Sequence, residues 1–326
     1  MSEESIEFIA PTSRAMGRMA TILFRPFQIG KWFALGFSAW LATMLDGCSS
    51  HTGGGNYSGG GAGEEWEELK GEFQPVIDWM NENMELVVAF GAGLLVLILA
   101  IGIVLTWVSS RGKLMFLDNV VHNRALVSQP WTEFRAEGNS VFRWQLILGF
   151  GGMLVLLAVA GLSGWGLYST YQPNAVTGGW IAGLIGAIVI FLFVAVVLAY
   201  FSFLFRSFVI VEVYKHRIMA TEGWCRVLRL HGRRPASFVV FFLWSALLNL
   251  IAAFAILAVA LLTCCIGAIL MAIPYLGAVL LLPVSVFFQS LGPEFLRQFG
   301  PEHDLWENSL DPFGFEAAPP PLPPVS

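Results

Sequence analysis

The apolar run at residues 86–109 constrains the fold more than any other feature of the sequence. It contains 24 consecutive residues without an ionisable side chain. A helix of about 20 apolar residues crosses the hydrocarbon core of a bilayer, which is roughly 30 Å thick. Charged residues make up only 13% of the chain, against about 25% in soluble domains. The sequence therefore predicts an integral membrane protein.

Further apolar segments extend this prediction to the whole chain. We expect an all-α fold, an integral membrane helical bundle of about six transmembrane helices in three hairpins, with amphipathic interface helices. Pro274 and Pro283 lie inside the last segment and predict a kinked or broken helix there. The other predicted spans lie near residues 32–44, 141–168, 179–205, 235–262 and 266–290.

The polar segments divide the chain into three predicted parts. We expect a cytosolic N-terminal segment at residues 1–31, a six-span membrane domain at residues 32–292 and a cytosolic Pro-rich tail at residues 293–326. The first outer loop, residues 47–85, combines a Gly-rich linker with an acidic helix. Its Cys48 follows a weak lipoprotein-like box, so lipidation is a minor alternative to an ordinary loop cysteine.

Two polar bridges, residues 109–143 and 206–236, connect the predicted hairpins on the cytosolic side. A shift of 93 positions aligns Lys113 with Arg206 and Trp131 with Trp224, which predicts a repeated unit of interface helix and hairpin. In the first bridge, apolar residues from Leu114 onwards share one helical arc and polar residues occupy the other. We expect this helix to lie along the membrane surface, or to dock on the spans, with its polar face wet.

Lysine and arginine are confined almost entirely to alternate polar segments. Of the 18 such residues, 17 lie in the N-terminal segment, the two bridges and the tail, and Lys70 lies in the outer loop. Cytoplasmic loops of membrane proteins carry an excess of these residues. We therefore predict a multi-pass protein of the bacterial inner membrane with both termini in the cytoplasm.

The candidate site residues are few. Asp118 with His122, and Glu212 with His216, share an i, i+4 spacing that allows a carboxylate–imidazole pair on one helical face. No serine, cysteine or further ligand lies at a spacing that favours a nucleophilic or metal site, so we interpret both pairs as structural. Asn249 is a lone polar residue within a predicted span, where a helix–helix hydrogen bond is the favoured interpretation. We predict no catalytic residue, cofactor or metal.

Several stretches resemble a family of prokaryotic integral membrane proteins that is known only as a membrane domain of unknown function. They are FRPFQIGKW, RGKLMFLDNVVHNR and LLPVSVFFQSLGPEFLRQFGPE. More distantly, the chain is similar to the membrane domain that precedes some bacterial glycerophosphodiester phosphodiesterases. The resemblance covers most of the chain and implies no activity and no catalytic residues.

These observations favour a non-enzymatic membrane scaffold or a lipid or protein interaction module. The expected partners are membrane lipid and a membrane protein or a second copy of the chain. The arginines of the second bridge lie beside a span, which favours lipid headgroups over nucleic acid. The alternative is a small-molecule or lipid transporter with a path along the Pro-kinked last span, and a weaker alternative is an intramembrane enzyme.

Overall fold

A computed structural model describes most of the chain, namely residues 7–44, 74–75, 78–170, 178–263, 267, 270–271 and 273–306. Within these residues the regular secondary structure is helical and contains no strand. The Gly-rich linker with Cys48, most of the acidic segment before residue 78, and the Pro-rich end of the tail lie outside the described residues. The all-α prediction is confirmed for the described part.

The helices are named in chain order as follows. They are α1 (Ile9–Phe24), α2 (Ile29–Thr43), α3 (Met84–Val121), α4 (Ser128–Glu133), α5 (Arg135–Thr170), α6 (Gly178–Leu204), α7 (Ile210–His216), α8 (Ala220–Arg233), α9 (Pro235–Leu262), α10 (Pro274–Leu280) and α11 (Leu282–Leu296). A π turn (Phe205–Val209) joins α6 to α7, and the short 3₁₀ turns Arg297–Phe299 and Pro301–His303 follow α11.

Four helices are long and apolar enough to cross a membrane. They are α3, α5, the joined helix α6–α7, and α9. Their large apolar side chains point outward, as Leu154, Phe193 and Phe254 show with exposures of 62%, 68% and 62%. A helix that is apolar all round and uncovered is stable in lipid rather than in water. These helices indicate a membrane protein.

The first and last predicted spans differ from these four. Helix α2 has 15 residues and is therefore about 22 Å long at 1.5 Å per residue, which is short for a bilayer. The last predicted span contains a break at Leu281, where α10 ends and α11 begins. Pro274 and Pro283 occupy the first turns of these two helices. The prediction of a broken last segment is confirmed, and the number of six spans stays a prediction.

The predicted interface helix that starts near Leu114 is not a separate helix. Residues 110–121 form the last part of α3, which has 38 residues and is about 57 Å long. Every residue from position 109 to position 121 is buried, including Asp118 and Asn119. The prediction that the polar face of this helix is wet is therefore wrong. The polar arc packs against other parts of the protein, which the periodicity of one helix could not show.

The described residues fall into two compact units, one within residues 44–107 and one formed by residues 1–43 and 108–326. The core of the larger unit lies at the helix ends that carry the bridges. It gathers aromatic rings from the π turn, α9 and α11, with Phe241 and Phe295 stacked at 4.0 Å between centroids. A Cβ atom at Gly292 would lie 2.5 Å from the Ser207 carbonyl oxygen, so glycine allows α11 to approach the π turn. Helix α1 packs on α11, and α2 packs on α10.

Candidate functional site

Three buried carboxylates, Asp118, Glu212 and Glu294, are the most unusual polar feature of the larger unit. Asp118 and Glu294 lie near the C-terminal ends of α3 and α11, Glu212 lies in the first turn of α7, and each is at most 2% exposed. A buried charge is strongly unfavourable unless cations and hydrogen-bond donors surround it. The partners of each carboxylate therefore show whether it has a structural role or is open to a substrate.

Asp118 is satisfied from two sides. Its Oδ2 accepts hydrogen bonds from Arg124 Nη2 at 2.8 Å and Arg124 Nε at 3.2 Å. Its Oδ1 accepts one from the Tyr214 hydroxyl at 2.9 Å and lies 3.1 Å from His122 Nδ1. The hydrogen bond to Asp118 raises the pKa of His122 above its ordinary value. Tyr214 belongs to α7, so Asp118 also connects the first bridge to the second.

The turn after Asp118 is fixed by side-chain amides. Asn119 Oδ1 accepts from the Leu126 N–H and Asn119 Nδ2 donates to the Leu126 carbonyl, both at 2.9 Å. Asn123 adopts a left-handed conformation with φ of 51°, which Asn tolerates better than most residues. Lys31 Nζ donates to Asn123 Oδ1 at 2.5 Å and to the Ile22 carbonyl at 2.8 Å. The α1–α2 turn is therefore tied to the end of α3.

Glu212 holds the C-terminal segment, residues 297–306. Its Oε1 lies 2.5 Å from His303 Nδ1, and its Oε2 lies 3.4 Å from His216 Nε2 and 3.8 Å from Arg226 Nη1. The neighbouring Lys215 Nζ donates to the carbonyls of Pro301 at 2.6 Å and Asp304 at 2.8 Å. The predicted boundary between the membrane domain and the tail, at residue 292, falls inside α11, and the chain beyond it packs on the second bridge.

Glu294 forms a fully buried ion pair with Arg18 of α1. Arg297 Nη1 lies 3.8 Å from Glu294 Oε2, and Arg297 Nε lies 2.9 Å from Asp304 Oδ2. The guanidinium of Arg18 also lies over the Trp306 ring, 3.7 Å from its centroid, a favourable cation–π contact.

The first two carboxylates occupy equivalent places in the two bridges. Glu212 lies 94 positions after Asp118, and the same shift relates His216 to His122. It also relates Arg217, which is left-handed with φ of 54°, to Asn123. Lys113 and Arg206 are related by 93 positions, one fewer. Since a π turn accommodates an extra residue in a helix, the π turn Phe205–Val209 accounts for the difference.

The comparison with known proteins identifies the family. Residues 9–296 match the model of a family of unknown function, DUF7544. The chain belongs to this family. No curated protein and no solved structure matches it.

The DUF7544 chain uses its predicted site residues as ion pairs and hydrogen bonds. The structure brings Asp118 and His122 together and Glu212 and His216 together, and Tyr214 joins the first pair to α7. Asn249 is exposed on α9 and donates to the Ser245 carbonyl of its own helix at 2.9 Å. Among the described residues, no group of three or more His, Cys, Asp or Glu side chains could hold a metal ion.

Sequence reasoning missed Glu294 and its partner Arg18. The predicted tail begins at residue 293 and therefore includes Glu294, and Arg18 counts among the basic residues of the predicted N-terminal segment. A signal was present, because Glu294 lies among apolar residues next to an apolar span and Arg18 lies among the apolar residues of α1. An isolated charge in such surroundings needs a partner, although the sequence could not say which one.

Proposed function

We propose that the protein is a non-enzymatic membrane scaffold, a lipid or protein interaction module built on a six-span bundle. The observation that carries this proposal is the way in which Asp118, Glu212 and Glu294 are engaged by cationic or hydrogen-bonding side chains of the protein itself. Carboxylates held in this way stabilise a fixed arrangement of helices. A general base, by contrast, needs access to a substrate proton.

The proposed topology places the protein in the bacterial inner membrane with both termini and both bridges in the cytoplasm. Four long apolar helices supply four of the six spans, and α2 with the α10–α11 segment supplies the other two. The distribution of Lys and Arg supports the orientation. The distant similarity to the membrane domain of glycerophosphodiester phosphodiesterases stays a prediction and assigns no hydrolytic activity to this chain.

Reporter fusions test the topology. A periplasm-active phosphatase should be active when fused within residues 47–85 and inactive when fused after residue 143 or residue 234. A cytoplasm-active fluorescent protein should give the opposite pattern at the same three positions. Activity of the phosphatase after residue 143 would contradict the orientation, and matching results at positions 143 and 234 are required by the proposed hairpin between the bridges.

Affinity purification from native membranes tests the scaffold function. Mild extraction followed by identification of lipids and proteins should recover a partner protein or an enriched lipid together with the chain. A matched purification of an unrelated membrane protein of similar size controls for abundant contaminants. Recovery of the chain alone, with bulk membrane lipid, would contradict the proposal. Uptake of a solute by vesicles that contain only this protein would instead support the transporter alternative.

A further inference from the structure

The amphipathic helix α8 presents a basic face that the fold leaves uncovered. The buried side of this helix, which includes Trp224, Val227 and Leu230, packs against the core. Arg229 and Arg233 are exposed on another side, one helical turn apart. Glu222, the acidic residue of the helix, lies at its opposite end.

Within the described residues, the two arginines of this face form no ion pair with the protein. Within the part of the chain that the structure describes, neither Arg229 nor Arg233 has a carboxylate partner. The exposed Arg217 of the same bridge, by contrast, pairs with Glu133 and lies 3.8 Å from Glu137. Two unpaired guanidinium groups one turn apart form a local excess of positive charge.

The position of this face in the chain identifies the membrane as its surroundings. Arg234 ends α8, and the apolar helix α9 begins at the next residue, Pro235. Leu228 on α8 and Val239 on α9 are both apolar and exposed, at 46% and 43%. Basic groups beside the start of a membrane helix lie at the depth of lipid phosphates. Guanidinium groups bind phosphate oxygens through paired N–H donors.

We propose that the exposed face of α8, centred on Arg229 and Arg233, binds the headgroups of anionic phospholipids. The lipid phosphate lies between the two guanidinium groups, and its acyl chains lie along the first turns of α9. This inference rests on the proposed function, because it names the lipid class for an interaction module whose bridges face the cytoplasmic leaflet.

Cys225, an exposed cysteine on α8, allows a local measurement on the full-length chain. Cys48, Cys264 and Cys265 are replaced by serine, and a donor fluorophore is attached to Cys225. The protein is then reconstituted in phosphatidylcholine vesicles that contain a trace of acceptor-labelled phosphatidylglycerol or acceptor-labelled phosphatidylcholine. Energy transfer to the phosphatidylglycerol should exceed transfer to the phosphatidylcholine, and added salt should weaken the preference.

Two matched variants decide the assignment. The double variant Arg229→Gln/Arg233→Gln should lower the preference for phosphatidylglycerol about fivefold or more, since each basic residue near an anionic surface contributes substantially to binding. The control Arg25→Gln/Arg135→Gln removes the same charge from exposed positions elsewhere and should keep the preference. Thermal unfolding in detergent should be unchanged for both variants.

Equal transfer to both lipids in the parent protein, or an unchanged preference in Arg229→Gln/Arg233→Gln, would overturn the inference. If affinity purification recovers a protein partner while energy transfer to the two lipids is equal, the lipid site is overturned and the proposed scaffold function still stands. Phosphatase activity after residue 234 would overturn the proposed topology, whereas the fluorescence measurement reports on lipid beside α8 in either orientation.

Discussion

The two bridges carry the same local pattern and use it differently. In each, an acidic residue is followed four positions later by histidine and then by a left-handed residue, Asn123 or Arg217. Asp118 finds Arg124 and His122 in its own turn. Glu212 has His216 at 3.4 Å in its own turn and also contacts His303, which lies 91 positions away in the C-terminal segment. Asp118 mainly stabilises a local turn, whereas Glu212 connects the second bridge to the C-terminal segment.

The histidine partners of the two carboxylates also differ in their exposure to solvent. The side chain of His122 is 49% exposed, whereas that of His303 is 5% exposed. An ion pair open to water contributes little to stability, while loss of one partner from a buried pair leaves an uncompensated charge. The Arg18–Glu294 pair has a larger sequence separation and deeper burial than either of these pairs, since its residues are 276 positions apart and both fully buried.

The largest effect is expected for Arg18→Leu. This substitution leaves Glu294 buried with Arg297 as its remaining close cation, so we expect a loss of about 3–5 kcal/mol in the free energy of unfolding. The measurement is denaturant-induced unfolding in mixed micelles. The double variant Arg18→Leu/Glu294→Leu should recover most of the loss, because two apolar side chains leave no unpaired charge. A double variant no more stable than Arg18→Leu would show that the pair is not coupled.

The second prediction compares the two bridges directly. Glu212→Leu should cost about 3 kcal/mol, because it removes the buried carboxylate that contacts both His303 and Arg226. It should also release residues 297–306, which hydrogen exchange and limited proteolysis would detect. Asp118→Leu should cost about 1–2 kcal/mol, since Arg124 can turn to water, and should leave the C-terminal segment protected. Release of residues 297–306 by Asp118→Leu would contradict the claim that only the carboxylate of the second bridge holds this segment.

Much of the fold was accessible from the sequence because lipid imposes simple rules. Long uncharged runs gave the four membrane helices, and Pro274 and Pro283 marked the break in the last segment. The spacing of Asp118 with His122 and of Glu212 with His216 predicted two pairs that the structure contains. These features depend on residues close in sequence, and periodicity detects such relations.

The remaining features depend on contacts between distant residues. Asp118 and Asn119 were expected to face water, but Tyr214 and the turn at Leu126 cover them. The burial of Glu294 with Arg18 has no local signature that identifies the partner. The π turn was also missed, although the change from a shift of 93 to a shift of 94 between the bridges could have indicated an inserted residue.

The third prediction tests the link between the bridges. Tyr214→Phe removes the hydroxyl that donates to Asp118 Oδ1 at 2.9 Å and keeps the ring stacked on Phe134. A hydrogen bond to a charged acceptor contributes about 1.5 kcal/mol or more, so a loss of this size is expected in unfolding experiments. Tyr200→Phe is the matched control, because its hydroxyl lies 3.2 Å from His231 Nδ1 and should contribute about half as much. Equal losses would mean that the charge of Asp118 has no special effect.

The smallest effect concerns pH and the Asp118–His122 pair of the first bridge. The pKa of His122 is raised by its hydrogen bond to Asp118, and Arg124 acts in the opposite direction. Because the pKa in the folded protein exceeds that in the unfolded chain, about 6.5, protonated His122 stabilises the fold fully below the unfolded value. This contribution is lost as the pH rises through the folded value.

His122→Gln should therefore reduce stability near pH 5 and have little effect near pH 8, with a difference below about 1 kcal/mol because the imidazole is half exposed. Unfolding midpoints in detergent across this range measure the difference. In an Asp118→Asn background the same substitution should lose its pH dependence, since no carboxylate remains to raise the pKa. A pH-dependent effect that persists in that background would assign the raised pKa of His122 to a group other than Asp118.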